Sequence, residues 1–319
     1  MPPITQAFVL GAGLGTRLRP LTEELPKPLV PIFQKPLISF ALDHLIDAGC
    51  ESFCVNTHHQ PERFAEAFPE NSYRGRRLTF RHEPVLLETG GGIANVGDLL
   101  GAEPFLVYNA DILCDLPLAP LLEEHQRAKN TVTLALRSHG GPQHIAWERA
   151  SGRVVDIRNL LGTGRPEEFV FTGIYAVEPE FQRWLEPGVK RSVIHAFLEM
   201  IRNGAKLGGA VIDDGYWWDV GTRAAYIELH RELPSLPFPR YPVTDPSWCD
   251  VVHATAMIGR EVTLRGCSVV ASHACIEDGA VLEDTIVWPR AQIAARSHLR
   301  NCIVRTNQKA EGHLRDVDI

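Results

Sequence analysis

From residue 252 onward the chain repeats every six residues. Val252, Ile258, Leu264, Val270, Ile276 and Leu282 are aliphatics in strict hexad register. The fifth position of each hexad holds Ala256, Val262, Ser268, Ala274, Ala280 and Ile286, mostly small residues. The register then slips by one and continues through Ile293 and Leu299. One inward aliphatic and one small residue per hexad predict a short left-handed parallel β-helix of triangular coils, about two to three of them. Each coil buries its apolar face only against the next, so the repeat commits the whole segment to one architecture.

Prolines mark where that segment begins. Pro234, Pro237, Pro239, Pro242 and Pro246 fall within thirteen residues with little periodicity between them. Such a run predicts a stiff extended connector. The chain is therefore read as a domain over 1–235, a Pro-rich connector over 236–251 and a repeat domain over 252–319.

The first part alternates strand and helix signals. Buried strands are expected at Ala7–Leu10, Phe53–Asn56, Phe105–Tyr108 and Thr131–Leu136. Helices are expected at Pro36–Ala48, Pro61–Phe68, Leu118–Lys129 and Ser192–Asn203, with Gly49 and Gly204 as stops. This alternation predicts a Rossmann-like, mostly parallel α/β sheet. Ligands of such sheets sit outside the carboxyl ends of the strands. The glycines after Leu10 and Asp111 after Tyr108 both occupy such ends.

Composition narrows the class of function. The 319 residues are 45% hydrophobic and 22% charged, enough apolar material for a sizeable core. A net charge of −7 excludes a general electrostatic nucleic-acid binder. No apolar run approaches a membrane span and the N-terminus lacks a basic leader, so neither a membrane span nor a signal peptide is expected. The seven cysteines are odd in number and show no Cys-x-x-Cys spacing, which points to reduced thiols and a cytoplasmic protein.

The stretch Leu10-Gly11-Ala12-Gly13-Leu14-Gly15-Thr16-Arg17-Leu18-Arg19-Pro20-Leu21-Thr22, followed by Pro26-Lys27-Pro28-Leu29, carries the chemistry. A dinucleotide fold needs Gly-x-Gly-x-x-Gly opening a long helix, and here the spacing differs and three prolines follow. A Walker loop needs Gly-Lys-Ser/Thr, which is absent. Closely spaced glycines after a strand turn backbone amides toward phosphate oxygens. Arg17 and Lys27 then supply charge for phosphoryl chemistry.

This stretch closely resembles the signature of the sugar-1-phosphate nucleotidyltransferase family, and the resemblance extends through the first two-thirds of the chain and into the repeat tail. It implies that a sugar 1-phosphate attacks the α-phosphorus of an NTP, giving an NDP-sugar and pyrophosphate. It implies catalytic roles for Arg17, on the leaving pyrophosphate, and Lys27, on the substrate phosphates. Leu10, Gly11, Ala12, Gly13, Gly15 and Thr16 match the nucleotide cradle. Asp111, in Asn109-Ala110-Asp111, and Asp219, in Trp217-Trp218-Asp219-Val220-Gly221-Thr222, match the family's Mg²⁺ ligands. Asp219 could instead cap the following helix, but Thr222 suits that role better.

The segment Glu88-Thr89-Gly90-Gly91-Gly92-Ile93 resembles the family loop on the nucleoside and sugar side. Thr89 and Gly90 are assigned to the nucleotide, and Gly91, Asn109, Thr172 and Gly173 to the sugar. Glu83 is assigned to the base; a carboxylate accepts two bonds from guanine and one from uracil, which leans toward GTP. Two branches of the family are resembled, guanylyltransferases of mannose 1-phosphate and uridylyltransferases of N-acetylmuramate 1-phosphate, so the base and sugar stay open. The family's Glu-Lys-Pro motif is missing; Ile157-Arg158-Asn159-Leu160 stands there, with Arg158 and Arg165 nearby. Two other classes remain: a catalytically silent regulatory subunit, which would be expected to lose the cations or metal carboxylates, and a hexapeptide acyltransferase, which needs a longer tail. The expected partners are an NTP and a sugar 1-phosphate, with a homo-oligomer through the β-helix also compatible.

Overall fold

The computed structural model describes residues 3–319. Spatial contacts divide the chain into two units, one comprising the residues up to Leu14 with Phe40–Trp218, the other Gly15–Ser39 with Asp219–Ile319. Contact and composition thus divide the chain at different places. The glycine-rich stretch itself passes from one unit to the other between Leu14 and Gly15.

The first unit is built on a ten-stranded sheet. In spatial order its strands are Ile145–Glu148, Arg153–Ile157, Leu207–Val211, Val132–Arg137, Val170–Val177, Phe105–Asn109, Gln6–Leu10, Ser52–Thr57, Arg76–His82 and Ser72–Tyr73. Seven run one way; only Ser72–Tyr73, Arg153–Ile157 and Val170–Val177 run against them. The expected strands are all present, because each is a short apolar run that both sheet faces can bury. Phe8, Val107, Leu134 and Tyr175 pack in one core with Val193, Ala196, Phe197 and Met200 of the helix Val193–Arg202. That helix begins where Ser192 accepts from the Ile194 amide, and Gly204 follows it with φ +69°.

One element departs from expectation. The segment Glu88–Asn95 is a helix and not a loop. Three glycines argue against a helix by propensity, yet residues 189–193 crowd Gly90 and Gly91, and Asn56 and Glu83 crowd Gly92, so all three must be small. Val170–Val177 is one continuous strand, inserted antiparallel between two parallel ones, with a register shift between Phe171 and Tyr175. Nothing in its sequence distinguishes an antiparallel insertion from a parallel strand.

The second unit contains the β-helix. Its ladders are Met257–Ile258, Cys275–Ile276, Gln292–Ile293 and Lys309–Ala310; Thr263–Arg265, Val281–Glu283, His298–Arg300 and His313–Arg315; and Val269–Val270, Ile286–Val287 and Ile303–Val304. All pair in parallel. Val270, Ile276, Leu282, Ile293 and Leu299 point into the common core, with Ala274, Ala280 and Ala291 at corners between them. The expected slip is real: Val270 pairs with Val287, so Trp288 leaves the core register. Trp288 turns instead to the helix Arg223–Glu232, where its indole donates to Tyr226 Oη at 3.1 Å. The stack is longer than expected because residues 303–319, which lack the hexad signature, still continue all three ladders. Ile258, on the first coil, is exposed despite its hexad position.

Residues 15–39 pack within this same unit. Tyr226 Oη donates to Pro31 O at 2.6 Å, Phe33 N to His230 Nε2 at 3.1 Å, and Gln34 N to Trp248 O at 2.9 Å. Arg305 pairs with Glu24 at 2.9 Å, and Gln308 donates to Glu24 at 3.3 Å. The Pro-rich run is accordingly no bare spacer. Phe238, Tyr241 and Trp248 are buried and stack edge to face, with Phe33 beside Trp248. None of the seven cysteines is disulfide-bonded. Among the described residues no helix is long and apolar enough to cross a membrane.

Candidate active site

In the first unit, register alone assembles one set of candidates. Leu10 pairs with Asn56 on one side and Asn109 on the other, so the three stand abreast at the carboxyl edge of the sheet. Two of the strands end there, at Leu10 and Asn109, and the third runs one residue further to Thr57. Ala110 N donates to Leu10 O at 3.1 Å, and Ala110 is fully buried, which explains a small residue before Asp111. Gly11 N donates to Asn56 Oδ1 at 2.8 Å. A Cβ on Gly11 would lie 2.8 Å from Asn56 O, so only glycine lets the loop leave the sheet here. Among the described residues nothing accepts a hydrogen bond from the amides of Ala12, Gly13 or Leu14, and Gly13 has open space where a Cβ would stand. These amides, unlike that of Gly11, are available to an anion.

The turn that carries Asp111 is braced from beneath. His44 Nδ1 lies 3.1 Å from Tyr108 Oη, Tyr108 Oη lies 2.9 Å from Cys114 Sγ, and His44 Nε2 lies 2.8 Å from Leu116 O. Burial holds the His44 imidazole down at about 4 and pushes the Cys114 thiol up to about 12. Neutral His44 therefore donates from Nε2 and accepts from Tyr108, clamping residues on both sides of the turn. No sequence motif signals this buried trio.

Other candidates of this unit are placed differently from expectation. Glu83 is fully buried; Oε1 accepts from Asn56 Nδ2 at 2.7 Å and Oε2 from Leu87 N at 3.0 Å. Its carboxylate is thus engaged by the protein, and the lean toward guanine that rested on it loses its footing. Thr89 Oγ1 accepts from Val193 N at 2.9 Å, and the amides of Gly90 and Gly91 both donate to Arg191 O. A Cβ on Gly90 would meet Arg191 O, and one on Gly91 would meet Val189 O. These residues pack the helix Glu88–Asn95 against its neighbour. Thr172 Oγ1 donates to Ala135 O at 2.9 Å inside the sheet. Gly173 has φ +86°, and a Cβ there would collide with the Asn109 side chain. Asp156 accepts from Ile157 N, Leu161 N and Thr163 N, folding residues 156–163 where the family carries Glu-Lys-Pro.

The second unit holds the cations. Gly15 is left-handed at φ +59°, and a Cβ there would crowd Thr22 and the Lys27 stem. Thr16–Leu18 and Lys27–Leu29 are single 3₁₀ turns, as the prolines require. Lys27 is 6% exposed, and its Nζ lies 3.7 Å from Asp219 Oδ1. Arg17 is exposed, with a guanidinium nitrogen 3.6 Å from Asp219 Oδ2. A Cβ on Gly221 would lie 2.8 Å from that guanidinium, so glycine keeps room for it. Thr222 accepts from Ala225 N at 3.2 Å and caps the following helix, leaving Asp219 to the cations. The exposed Arg17–Asp219 pair adds little stability; with buried Lys27 it arrays two positive groups around one carboxylate.

The chain is similar to known proteins over most of its length. Residues 6–235 match the model of the nucleotidyl transferase family. The chain is 30% identical to a mannose-1-phosphate guanylyltransferase of Mycobacterium tuberculosis over 294 residues, 91% of this chain and 81% of that one. It is also 30% identical to a probable mannose-1-phosphate guanylyltransferase 3 of Oryza sativa subsp. japonica over 319 residues, 94% of this chain and 85% of that one. Among solved structures, an inositol-1-phosphate CTP transferase from T. maritima shares the fold, with a TM-score of 0.59 at 16% identity over 72% of this chain and 95% of that chain. With a glycine turn leaving a central strand, a lysine held between prolines and a match over most of its length, the chain belongs to the nucleotidyl transferase family.

Proposed function

We propose that this protein makes an NDP-sugar by transferring a nucleoside monophosphate from an NTP to a sugar 1-phosphate, with GTP and mannose 1-phosphate as the preferred pair. The carrying observation is that the likeness to mannose-1-phosphate guanylyltransferases spans the repeat tail as well as residues 1–235, here taken as the catalytic part.

In this reading a phosphate oxygen of the sugar 1-phosphate attacks the α-phosphorus, a new P–O bond forms, and the α–β bridging oxygen leaves with the electron pair as pyrophosphate. No proton need move in the step itself. The task is to hold two polyanions in line and offset their charge. The free amides of Ala12, Gly13 and Leu14 cradle the triphosphate. Arg17 and Lys27 exchange Asp219 for phosphate oxygens, Arg17 on the departing pyrophosphate and Lys27 near the α-phosphate. Asn109, Thr172 and Gly173 border the sugar.

Among the described residues no group of three or more His, Cys, Asp or Glu side chains forms a protein-only metal cage. Mg²⁺ needs no such cage, since it is held by one or two carboxylates plus substrate phosphates; Asp111 and Asp219 fit that donor set. Bound there, Mg²⁺ would neutralise the triphosphate. The presence of Arg17, Lys27, Asp111 and Asp219 together favours catalysis over a silent subunit.

The test is a matrix of four NTPs against a panel of sugar 1-phosphates, scored by pyrophosphate release. Turnover confined to GTP with mannose 1-phosphate is expected; preference for UTP with an amino-sugar phosphate would overturn the pairing, and no turnover with any pair would overturn the reaction. Asp111→Asn should abolish Mg²⁺-dependent release while leaving the fold intact, and near-normal turnover would remove Asp111 from the metal site.

A further inference from the structure

We propose that Glu83 is a positioning residue: it sets the orientation of the Asn56 amide and thereby ties the first turn of the phosphate loop to the start of the helix Glu88–Asn95. The inference rests on the nucleotide-binding reading above and deepens it.

A continuous line of hydrogen bonds crosses the first unit. Leu87 N donates to Glu83 Oε2 at 3.0 Å, Asn56 Nδ2 donates to Glu83 Oε1 at 2.7 Å, and Gly11 N donates to Asn56 Oδ1 at 2.8 Å. Glu83 is fully buried and Asn56 is 1% exposed. The line also excludes bulk: a Cβ on Gly92 would lie 2.9 Å from Asn56 Nδ2 and 3.1 Å from Glu83 Oε1.

Direction matters in this line. An amide side chain has nearly the same outline either way round, but one end donates and the other accepts. Flipped, Asn56 would point its NH₂ at the Gly11 amide, donor against donor. An ionised carboxylate only accepts, so Glu83 draws the NH₂ toward itself and leaves Oδ1 for Gly11. The same carboxylate receives the Leu87 amide just ahead of the helix, where helix polarity favours negative charge. Glu83 thus touches neither phosphate nor base, and instead decides where Gly11 leaves the sheet. The free amides of Ala12, Gly13 and Leu14 follow directly from that point.

Exchanging the two side-chain types tests this. In Glu83→Gln, whichever way the new amide faces, one of its two donors meets an NH₂, and one link is lost. In the double variant Asn56→Asp/Glu83→Gln, the carboxylate accepts from Gly11 N and from the new amide, whose oxygen accepts from Leu87 N, so every link is restored. NTP binding is measured by calorimetry with each of the four NTPs, and kcat and KM are measured with whichever pair turns over. Glu83→Gln should weaken binding of every accepted NTP to the same degree, about tenfold, and the double variant should recover to within about threefold of the unmodified protein. A change of base preference in Glu83→Gln would overturn the proposal in favour of direct base contact. A double variant no better than the single one would overturn it as well. Should Glu83→Gln fail to fold, recovery of folding and NTP affinity in the double variant still supports the line, and a double variant that also fails to fold counts against it. An unmodified protein that binds NTP but turns over no pair defeats the proposed reaction and leaves this test standing.

Discussion

Gly11, Gly13 and Gly15 alternate with other residues and end in a left-handed turn, whereas Gly90, Gly91 and Gly92 are consecutive and helical. In composition the two runs look alike. In the first, a Cβ would meet a different neighbour at each glycine: strand backbone at Gly11, nothing at Gly13, and the stem of Lys27 at Gly15. In the second, all three would strike protein, and on Gly90 and Gly91 the obstacle is backbone. The first run leaves part of its surface open; the second leaves none. Glycine count is silent on the difference, and neighbours decide it.

Four substitutions put that contrast at risk. The largest effect is expected outside the glycines, at the lysine they help to place: Lys27→Ala should lower kcat about a hundredfold or more by removing positive charge at the reacting phosphates, in steady-state assays on protein shown to be folded. A loss that merely follows the folded fraction would make Lys27 structural. Next comes Gly91→Ala, where the added methyl meets Val189 O. Urea unfolding should show a loss of about 1–3 kcal/mol, with kcat per folded molecule nearly kept. Full stability with lost turnover would move Gly91 to the ligand side. Gly15→Ala should cost about 1–2 kcal/mol for a left-handed alanine, and kcat should fall too because the Lys27 stem is pushed. Gly13→Ala is the smallest: stability should change by less than about 0.5 kcal/mol, while the KM for NTP rises a few-fold. An unchanged KM would show that the open space at Gly13 is not where phosphate lies.

Much of the fold was legible because its signals are local. Hexads identify the β-helix, since each inward aliphatic recurs against its own image one coil away, and even the one-residue slip before Val287 could be read. Strands such as Gln6–Leu10 and Phe105–Asn109 are short apolar runs ending in turn residues, and that ending also locates Gly11 and Asp111. What stayed hidden depends on partners distant in sequence. Glu83 reads from sequence as a base contact, and only the fold surrounds it with Asn56 and the Leu87 amide. The helix Glu88–Asn95 contradicts its own propensity, because residues 189–193 favour small side chains there. Phe238, Tyr241 and Trp248 lie among prolines that suggest a spacer, and only their mutual stacking shows otherwise. His44 lies far along the chain from Tyr108 and Cys114, and the trio carries no motif.

The contacts of residues 15–39 bear on how such a chain can be cut and recombined. Glu24 and the Pro20 carbonyl are held by Arg305, Glu24 also by Gln308, and Pro31 by Tyr226. A truncation at residue 235 or 251 would remove two of those partners from the segment that bears Arg17 and Lys27. A chimera that borrows the β-helix of one relative for the sheet of another would need to carry residues 15–39 along with it. Lineages that exchange tails freely would leave Arg17 and Lys27 on a foreign support, so residues 15–39 and the late repeat are expected to be inherited as a pair.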